Sequence, residues 1–476
     1  MSAIKLKNVS FSYTGNENVI ENVNLDLDYS SINLIAGPSG EGKSTLMNII
    51  SGIIPNLING NIQGEVFIDE ENISNKKLGD VSRKVGIVLQ NPDSQIIQKR
   101  VDDEIAFGLE NMSVKPETIH KQINTVTKMM NLNPEWECRK LSLGQKQRLI
   151  IASILAMGQK IILLDEPLSS IDKKGALFIL DTLKALKKAG YCILIIEHRL
   201  DILLPYVDNI YHVENKKVIK IEDKEEYLNS QSERIVDTVI DSKSTDYLFT
   251  LDKISYKVKK RKILKDVSFS IPTGKRTLIL GENGCGKTTL IQIIARLLKQ
   301  SGGSVHQNLD PKFKEKKHGS RKWFKSVGYI FQNPDYQLFM PTVKDEIYFN
   351  QKDREYADKI ATLFDVKKLY SRHPQSLSEG QKRRVSIAAV LASRPSVVIL
   401  DEPTVGQDYK HLKEMVDTLN LIHQEEKNTM ITITHDIRCA AALTDKAVLI
   451  EEGKVKEEGD KKLVEKFFND FKKNKE

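Results

Sequence analysis

Apolar and polar residues alternate along the first segment of the chain, and short, largely apolar runs follow later. Residues 4–11 alternate, which predicts a half-buried strand, and residues 251–256 predict its counterpart in the second half. Apolar runs without alternation are typical of strands covered on both faces of a parallel sheet. These runs occupy residues 32–36, 161–164, 193–197, 277–280, 397–400 and 430–434.

Segments with apolar residues at helical spacing separate the predicted strands. Because strands and helices alternate along the chain, we predict an α/β fold. Helices are predicted at residues 46–51, 101–130, 146–156, 290–298, 343–366, 382–392 and 461–476.

The second half of the chain repeats the landmarks of the first half at a nearly constant spacing, which indicates two copies of one domain in tandem. The spacing falls from 244 to 236 residues before the third landmark, so we expect a trimmed helical region in the second copy. The matched pairs are Lys43 and Lys287, Gln90 and Gln332, Ser142 and Ser378, Asp165 and Asp401, and His198 and His435.

A polar, acidic segment without apolar periodicity, residues 222–246, lies between the copies and is typical of a linker. We therefore predict a first domain at residues 1–228, an acidic linker at residues 229–247 and a second domain at residues 248–476.

A nine-residue stretch rich in glycine occurs in both copies, between an apolar strand and a helix. Both stretches satisfy G-x-x-x-x-G-K-[ST], the pattern of a phosphate-binding loop. Glycines let consecutive backbone N–H groups converge on phosphate oxygens, and the following helix N-terminus adds partial positive charge. The predicted nucleotide-binding residues are Gly37, Pro38, Ser39, Gly40, Glu41, Gly42, Lys43, Ser44 and Thr45, and Gly281, Glu282, Asn283, Gly284, Cys285, Gly286, Lys287, Thr288 and Thr289.

Oxygen-bearing side chains for Mg²⁺ are predicted in three places in each copy: the hydroxyl after the loop lysine, a carboxylate that ends a buried strand, and a glutamine that ends another strand. The glutamine has a simpler interpretation as a polar strand cap. The predicted metal ligands are Ser44, Gln90 and Asp165 in the first copy, and Thr288, Gln332 and Asp401 in the second.

The residue after each metal-binding aspartate is a glutamate, and we predict that Glu166 and Glu402 polarise the attacking water. His198 and His435 follow another buried strand, where each is predicted to contact the γ-phosphate. A single strand-end histidine is usually structural, but this one recurs at the expected spacing.

A serine precedes a strong predicted helix in both copies. It has two possible interpretations, a plain helix N-cap or part of a second anion site at the helix N-terminus. An aromatic residue near the end of the first strand of each copy is a candidate for adenine stacking, or a half-buried strand residue. These nucleotide-binding candidates are Ser142, Gly144, Gln145, Ser378, Gly380 and Gln381, and Tyr13 and Tyr256.

Composition excludes a membrane-spanning protein, because no run approaches the roughly 18 apolar residues that a span needs. Four scattered cysteines fit a reducing cytoplasm. The net charge of +8 is uneven, because residues 251–476 carry 43 basic and 30 acidic residues. Basic clusters at residues 257–265 and 312–325, the second with Trp323 and Phe324, are either a solvated surface or a site for anionic lipid or nucleic acid.

These motifs, in this order, resemble the ATP-binding cassette (ABC) family across nearly the whole chain. The resemblance implies two tandem P-loop NTPase domains, each with a RecA-like core, an antiparallel β subdomain and a helical subdomain. It also implies Q-loops that begin at Gln90 and Gln332, signature motifs at residues 141–145 and 377–381, and D-loops at residues 169–172 and 405–408. It further implies a head-to-tail sandwich in which the two cassettes pair within one chain. Lys43 would then share ATP with Ser378 and Gly380, and Lys287 with Ser142 and Gly144.

One position departs from the family pattern, since Leu143 and Glu379 stand where the signature usually has glycine. We expect binding to survive, whereas equal turnover at the two sites is in doubt. Both catalytic glutamates are present.

Within the family, the Gln-Asn-Pro-Asp-x-Gln segments at residues 90–95 and 332–337 look like those of energy-coupling factor (ECF) importers. That resemblance implies a transmembrane coupling subunit and a substrate-binding membrane subunit as partners, at the cytoplasmic face of the cell membrane. The cargo would be a vitamin, a vitamin precursor or a metal ion. Coupling helices would dock at residues 93–110 and 335–350, and no nucleic acid is expected.

Two other classes of tandem cassette remain as alternatives. Soluble tandem ATPases that act on ribosomes or nucleic acid often carry a long basic linker or cysteine clusters, whereas the linker here is short and acidic. Sugar-type tandem importers usually lack one catalytic glutamate, whereas both are present in this chain.

Overall fold

The structure is a computed structural model, and the chain divides into two compact units, Met1–Glu233 and Arg234–Glu476. The predicted domain and linker boundaries stay predictions. The structure describes residues 2–13, 17–38, 40–168, 171, 173–197, 199–231, 246–259, 261–309, 319–404 and 409–473.

The first unit contains alternating strands and helices. Its strands are β1 (Ser2–Ser12), β2 (Ile20–Asp28), β3 (Ser31–Ala36), β4 (Asn61–Ile68), β5 (Glu71–Asn72), β6 (Val85–Val88), β7 (Ile161–Asp165), β8 (Cys192–Ile196), β9 (Asn209–Glu214) and β10 (Lys217–Ile221). Its helices are α1 (Lys43–Ile50), α2 (Ile53–Asn56), α3 (Leu78–Val81), α4 (Val101–Asn111), α5 (Pro116–Met129), α6 (Leu143–Ala156), α7 (Lys173–Lys188), α8 (Leu200–Leu203) and α9 (Lys224–Gln231).

Two sheets form the frame of the first unit. The core sheet has the order β10-β9-β3-β8-β7-β6, and all its pairs are parallel except β9 with β10. Its central strands β3 and β8 are buried along their whole length, as the apolar runs predict. An antiparallel sheet, β2-β1-β4-β5, accompanies the core sheet. The helices α4, α5 and α6 pack together and form a helical subdomain.

The second unit repeats this plan. Its strands are β11 (Tyr247–Val258), β12 (Arg261–Pro272), β13 (Arg276–Leu280), β14 (Gly302–Gln307), β15 (Val327–Ile330), β16 (Val397–Asp401), β17 (Thr429–Ile433), β18 (Lys446–Glu451) and β19 (Lys454–Gly459). Its helices are α10 (Lys287–Ile294), α11 (Arg321–Ser326), α12 (Val343–Tyr348), α13 (Arg354–Leu363), α14 (Glu379–Leu391), α15 (Tyr409–Glu426), α16 (Ile437–Ala442) and α17 (Lys461–Lys473).

The sheets of the second unit confirm the tandem repeat. Its core sheet, β15-β16-β17-β13-β18-β19, joins counterparts of the first unit's core strands in the same sequence, and β12-β11-β14 is the counterpart of the antiparallel sheet. The glycine loop and the strand-end carboxylates therefore occupy matching positions in both units, at the carboxyl ends of parallel strands, where α/β sheets bind ligands.

The single helix predicted at residues 101–130 is wrong, because the structure has α4 and α5 with a break between them. Pro116 begins α5, and proline favours the first helical position because it has no N–H to donate. Likewise α12 and α13 replace the single helix predicted at residues 343–366. Both are shorter than α4 and α5, which accounts for the trimmed spacing in the second copy.

The polar segment at residues 222–246 begins with a helix. Helix α9 spans Lys224–Gln231, so only its last residues fall in the linker predicted at residues 229–247. Its Tyr227 is buried, with its hydroxyl 2.7 Å from Nδ1 of His212 on β9. Residues 232–245 of that segment lie outside the described residues. Across the described part of the chain, no helix is both long enough and apolar enough to cross a membrane.

Candidate functional site

Each glycine loop packs closely against the neighbouring strand of its core sheet. A Cβ at Gly37 would lie 2.1 Å from the carbonyl oxygen of Val213, and one at Gly281 would lie 2.3 Å from that of Ile450. The two φ angles, 137° and 148°, also lie in a region that L side chains rarely adopt. Only glycine fits the first position of either loop.

The lysine of each loop turns its ammonium group toward the loop's own carbonyl oxygens. Nζ of Lys43 donates to the oxygens of Gly37 and Pro38 at 2.8 and 2.6 Å. Nζ of Lys287 donates to those of Gly281 and Glu282 at 2.7 and 3.0 Å. These carbonyls are neutral, so they orient the ammonium group toward the loop without cancelling the charge that is predicted to bind phosphate oxygens.

The first loop is supported on two sides. The Glu41 carboxylate accepts a hydrogen bond from the N–H of Lys216, and the hydroxyl of Thr45 lies 2.8 Å from that of Tyr13. The Tyr13 ring is exposed and makes an edge-on contact with Phe11, and its adenine contact stays a prediction. Gly40, Gly42 and Ser44 neighbour Glu41 and Thr45 in the loop, whereas Ser39 lies outside the described residues.

The second loop is supported differently. The Asn283 side-chain oxygen lies 2.8 Å from Nε2 of His435, which joins the loop to the end of β17. Cys285 is buried, and this burial raises the pKa of its thiol. Tyr256 is half-buried against the core, which favours the structural interpretation of that residue over the adenine contact. Gly284, Gly286 and Thr289 complete the loop and the start of α10.

Two of the three residues predicted to hold Mg²⁺ in the second unit, Thr288 and Asp401, are in contact. The Thr288 hydroxyl donates to Asp401 at 3.2 Å, and the Tyr329 hydroxyl donates to the other carboxylate oxygen at 3.0 Å. Burial and the neighbouring charge of Glu402 raise the pKa of Asp401 to about 6. A buried acidic pair next to a hydroxyl is a donor set that fits a hard divalent cation. In the described part of the chain, the backbone carbonyl oxygen of Gln332 accepts a hydrogen bond from Arg383.

In the first unit the matching residues are distributed along the same elements. Asp165 ends β7, and Ser44 lies in the first turn of α1. The Gln90 side chain donates from Nε2 to the Glu166 carboxylate at 2.8 Å, which brings the predicted metal ligand and the predicted water-activating residue together.

Both predicted catalytic glutamates adopt a left-handed backbone conformation at the end of a buried strand. The φ angles of Glu166 and Glu402 are 48° and 50°, and each N–H donates to the neighbouring strand at 2.9 Å. Such strain in a residue that is not glycine is typical of functional sites. His435 lies against Glu402, with Nε2 3.2 Å from Oε1, whereas His198 lies outside the described residues.

The signature serines cap their helices, as predicted. Ser142 and Gln145 form a reciprocal capping box at the start of α6, and Ser378 and Gln381 form another at the start of α14. The role of these helix starts as anion sites, together with Gly144 and Gly380, stays a prediction. The D-loops lie outside the described residues except for Ile171, which is buried.

Three contacts around the site were not found by reasoning from the sequence. Tyr329 donates to Asp401, Arg383 donates to the carbonyl oxygen of Phe331 at 2.7 Å, and Lys146 pairs with Asp93. Each joins residues about 50 to 70 positions apart. The sequence carries a signal for the first two contacts, because the aligned copies differ there. Tyr329 of the second copy matches Ile87 of the first, and Arg383 matches Gln147.

Trp323, in the second basic cluster, is not available for base stacking. It is fully buried, and its Nε1 donates to the carbonyl oxygen of Ala295 at 2.9 Å. Residues 312–318 of the cluster lie outside the described residues.

Two phosphate-binding loops, each followed by a strand-end Asp-Glu pair in a parallel core sheet, define a P-loop nucleoside triphosphatase with two sites. The ABC transporter family model matches residues 20–169 and 264–405, more than half of the chain, and the chain belongs to this family. It is an ATP-binding, ATP-hydrolysing enzyme.

Relatives of similar length share this two-cassette layout. The chain is 31% identical to an ABC transporter ATP-binding protein of Saccharolobus solfataricus, over 96% of this chain and 94% of the relative. It is also 31% identical to a Bacillus subtilis protein with the provisional name HMP/thiamine import ATP-binding protein YkoD, over 94% of this chain and 90% of the relative. A chain of the ribosome-bound complex of archaeal Pelota and ABCE1 shares the fold, with a TM-score of 0.73 at 19% identity, over 97% of this chain and 80% of that chain.

Proposed function

We propose that this chain is the ATPase subunit of an ECF-type importer that carries a vitamin, a vitamin precursor or a metal ion. The observation that carries the proposal is a set of exposed apolar side chains after the two predicted Q-loops, with a pair of them in the second unit. Ile97 is 68% exposed in the first unit, and Tyr336 and Phe339 are 78% and 67% exposed in the second. Large apolar side chains gathered on a surface mark a site of protein contact.

The residues of each cassette divide the chemistry between them. Lys43 and Lys287 bind the β- and γ-phosphates, while Glu166 and Glu402 orient and polarise the attacking water. Mg²⁺, when bound, neutralises developing charge on the phosphate oxygens. It would be held by Ser44, Gln90 and Asp165, and by Thr288, Gln332 and Asp401. His198 and His435 contact the γ-phosphate.

The resemblance to the family supports pairing of the two cassettes within one chain. In that arrangement Ser378 and Gly380 complete the ATP site of Lys43, and Ser142 and Gly144 complete that of Lys287. Covalent linkage raises the effective concentration of each cassette for the other, which favours this pairing over pairing between chains. ATP closes the pair, and hydrolysis reopens it.

The proposed partners are a transmembrane coupling subunit, which docks on residues 93–110 and 335–350, and a substrate-binding membrane subunit. The chain would then lie at the cytoplasmic face of the membrane as a peripheral subunit. The name of the Bacillus subtilis relative supports a thiamine precursor as one candidate cargo.

The test is recovery of membrane partners by the full-length tagged chain from its own host. We expect wild-type chain to retain membrane proteins and the I97S/F339S variant to lose them while hydrolysing ATP at the wild-type basal rate. The matched control is L57S/I219S, which removes two equally exposed apolar side chains far from the Q-loops in sequence.

Two results would contradict the proposal. Recovery of ribosomes or nucleic acid in place of membrane proteins would favour a soluble tandem ATPase. Equal retention of membrane proteins by I97S/F339S and wild type would show that these exposed apolar side chains do not form the docking site.

A further inference from the structure

A lysine that directly follows the signature motif forms the same ion pair in both units. Nζ of Lys146 lies 2.5 Å from Oδ1 of Asp93, and Nζ of Lys382 lies 2.8 Å from Oδ1 of Asp335. The lysine side chains are only 14% and 11% exposed. The two aspartates belong to the Asn-Pro-Asp turn that follows the predicted Q-loop, so each pair joins the signature helix to that turn.

The turn itself is held in a fixed shape. The Asn91 and Asn333 side chains cap it by accepting a hydrogen bond from the N–H of Asp93 and Asp335, at 3.0 and 2.8 Å. The backbone of each aspartate is therefore held within the turn. A displacement of its carboxylate is expected to move the turn as a whole.

A buried carboxylate fixes the loop that follows the turn. In the first unit Glu104 accepts hydrogen bonds from the N–H groups of Ile97 and Gln98, at 2.9 and 2.7 Å. Glu346 makes the matching contacts with Phe339 and Met340 in the second unit. The exposed Ile97 and Phe339 are thus held to α4 and α12, a few residues after the turn.

The second unit has additional links between the same two elements. Arg383, buried in α14, donates to the backbone carbonyl oxygens of Phe331 and Gln332, and the Gln337 side chain donates to the carbonyl oxygen of Ser386 in α14 at 2.7 Å. A buried guanidinium group separates from its acceptors only at a high cost in desolvation. The turn of the second unit is therefore fastened to the signature helix by three side chains.

In the first unit the matching side chains do not make these links. Gln147 replaces Arg383, and its Oε1 has no hydrogen-bond partner among the described residues. The Gln95 side chain bonds instead to the backbone of Leu89 and Ile87, at 2.7 and 3.0 Å, so it fixes the turn to the strand that precedes it.

We propose that the two Lys–Asp pairs are positioning contacts that carry a displacement of the signature serine to the exposed docking turn, and that Arg383 makes this transmission rigid only in the second unit. The proposal rests on the proposed function, because it requires nucleotide to act on the signature helix. In the first unit the pair Lys146–Asp93 is the sensitive link, and its loss uncouples the turn. In the second unit the link persists without Lys382 as long as Arg383 remains.

The test is backbone hydrogen exchange of the full chain with and without AMP-PNP and Mg²⁺. In the wild type we expect nucleotide to slow exchange at both signature helices and at both turns, residues 91–98 and 333–340. K146M should keep the response of its signature helix and lose that of the first turn. K382M should keep the second turn's response, whereas K382M/R383Q should lose it.

Two further variants separate positioning from general destabilisation. The charge swap D93K/K146D should restore the response of the first turn. The control K140M removes the exposed Lys140–Glu137 pair of the same subdomain and should behave as the wild type.

A first turn that still responds in K146M would overturn the proposal, as would a second turn that stops responding in K382M alone. A wild type with no nucleotide response at the signature helices would also overturn it, because the pairs would have nothing to transmit. Failure to recover membrane partners would contradict the proposed function and leave these exchange results unchanged.

Discussion

Glu166 and Glu402, the predicted water-polarising residues, occupy matching positions in the two cassettes. Both keep a left-handed backbone conformation, which costs about 1–3 kcal/mol for a residue that is not glycine. Both lie at the end of a buried strand, and each contacts a second predicted site residue, Gln90 or His435. The same backbone conformation therefore recurs at the matching position of both copies.

Substitution of both glutamates by glutamine removes the predicted water-polarising groups and keeps their shape. We expect E166Q/E402Q to lower kcat by about 10²- to 10⁴-fold while nucleotide binding is retained. Phosphate release and filter retention of labelled ATP measure the two effects. The surface variant E225Q serves as control. Near-normal hydrolysis by the double variant would show that another group activates the water.

Asp445 illustrates a structural role for a buried charge. Two of its oxygens accept hydrogen bonds from the buried Arg276 guanidinium, at 3.0 and 2.6 Å. Burial acts to raise the pKa of Asp445, but the bonds to Arg276 outweigh it and the pKa is lowered. The carboxylate therefore stabilises the fold above its unfolded pKa of about 3.9, and this stabilisation is lost as pH falls through the lower folded pKa.

We expect D445N to lower the unfolding free energy of the second unit by about 3–5 kcal/mol at pH 7, because it removes the carboxylate charge beside the buried Arg276 guanidinium. The matched variant D208N loses a half-exposed pair with Lys187 and should cost about 1 kcal/mol or less. Urea unfolding at pH 7 and pH 3 gives both values. If the cost of D445N were undiminished at pH 3, the ionised pair would not be its source.

At the scale of elements, the strands followed from the sequence and the helical subdomain did so only in part. The apolar runs predict the buried strands well because a strand covered on both faces is apolar at nearly every position. The apolar spacing of residues 101–130 and 343–366 predicts one helix in each segment, because the spacing continues across the break between α4 and α5 and across that between α12 and α13. The shift from α4 to α5 is decided by Pro116, a backbone effect that apolar spacing does not register.

The short helix α12 depends on its cap more than its counterpart α4. The Thr342 hydroxyl accepts a hydrogen bond from the N–H of Asp345 at 3.1 Å, whereas Arg100 makes no side-chain cap for α4. We expect T342A to destabilise the second unit by about 1 kcal/mol, and R100A to have a smaller effect. Thermal unfolding measures both. An R100A effect as large as that of T342A would contradict the capping explanation.

At the scale of the molecule, the repeat was readable from landmark spacing, and the two core sheets confirm it by their shared strand order. The loops and strand-end carboxylates were found because short motifs carry their chemistry locally. The contacts of Tyr329 and Arg383 were not, because each joins segments that only the folded sheet and helical subdomain bring together. Differences between the copies show where the two sites diverge.

Pairing of the cassettes can be tested through the loop lysines. If each half completes the other's site, K43A and K287A should each lower total turnover by well over half, because closure with one empty site is impaired. Steady-state hydrolysis by the full chain measures this, with K76A, an exposed lysine, as control. If each variant lost only the ATP turnover of its own site and the other site kept its normal rate, the two cassettes would be independent.

The Tyr329 hydroxyl donates a hydrogen bond to Asp401, whereas the first cassette has an isoleucine, Ile87, at the matching position. The ultraviolet absorption of a tyrosine changes with the charge that its hydroxyl faces. The second cassette therefore carries an intrinsic optical label at its predicted metal ligand. The difference between the titration spectra of the wild type and Y329F would report the loading of the second cassette.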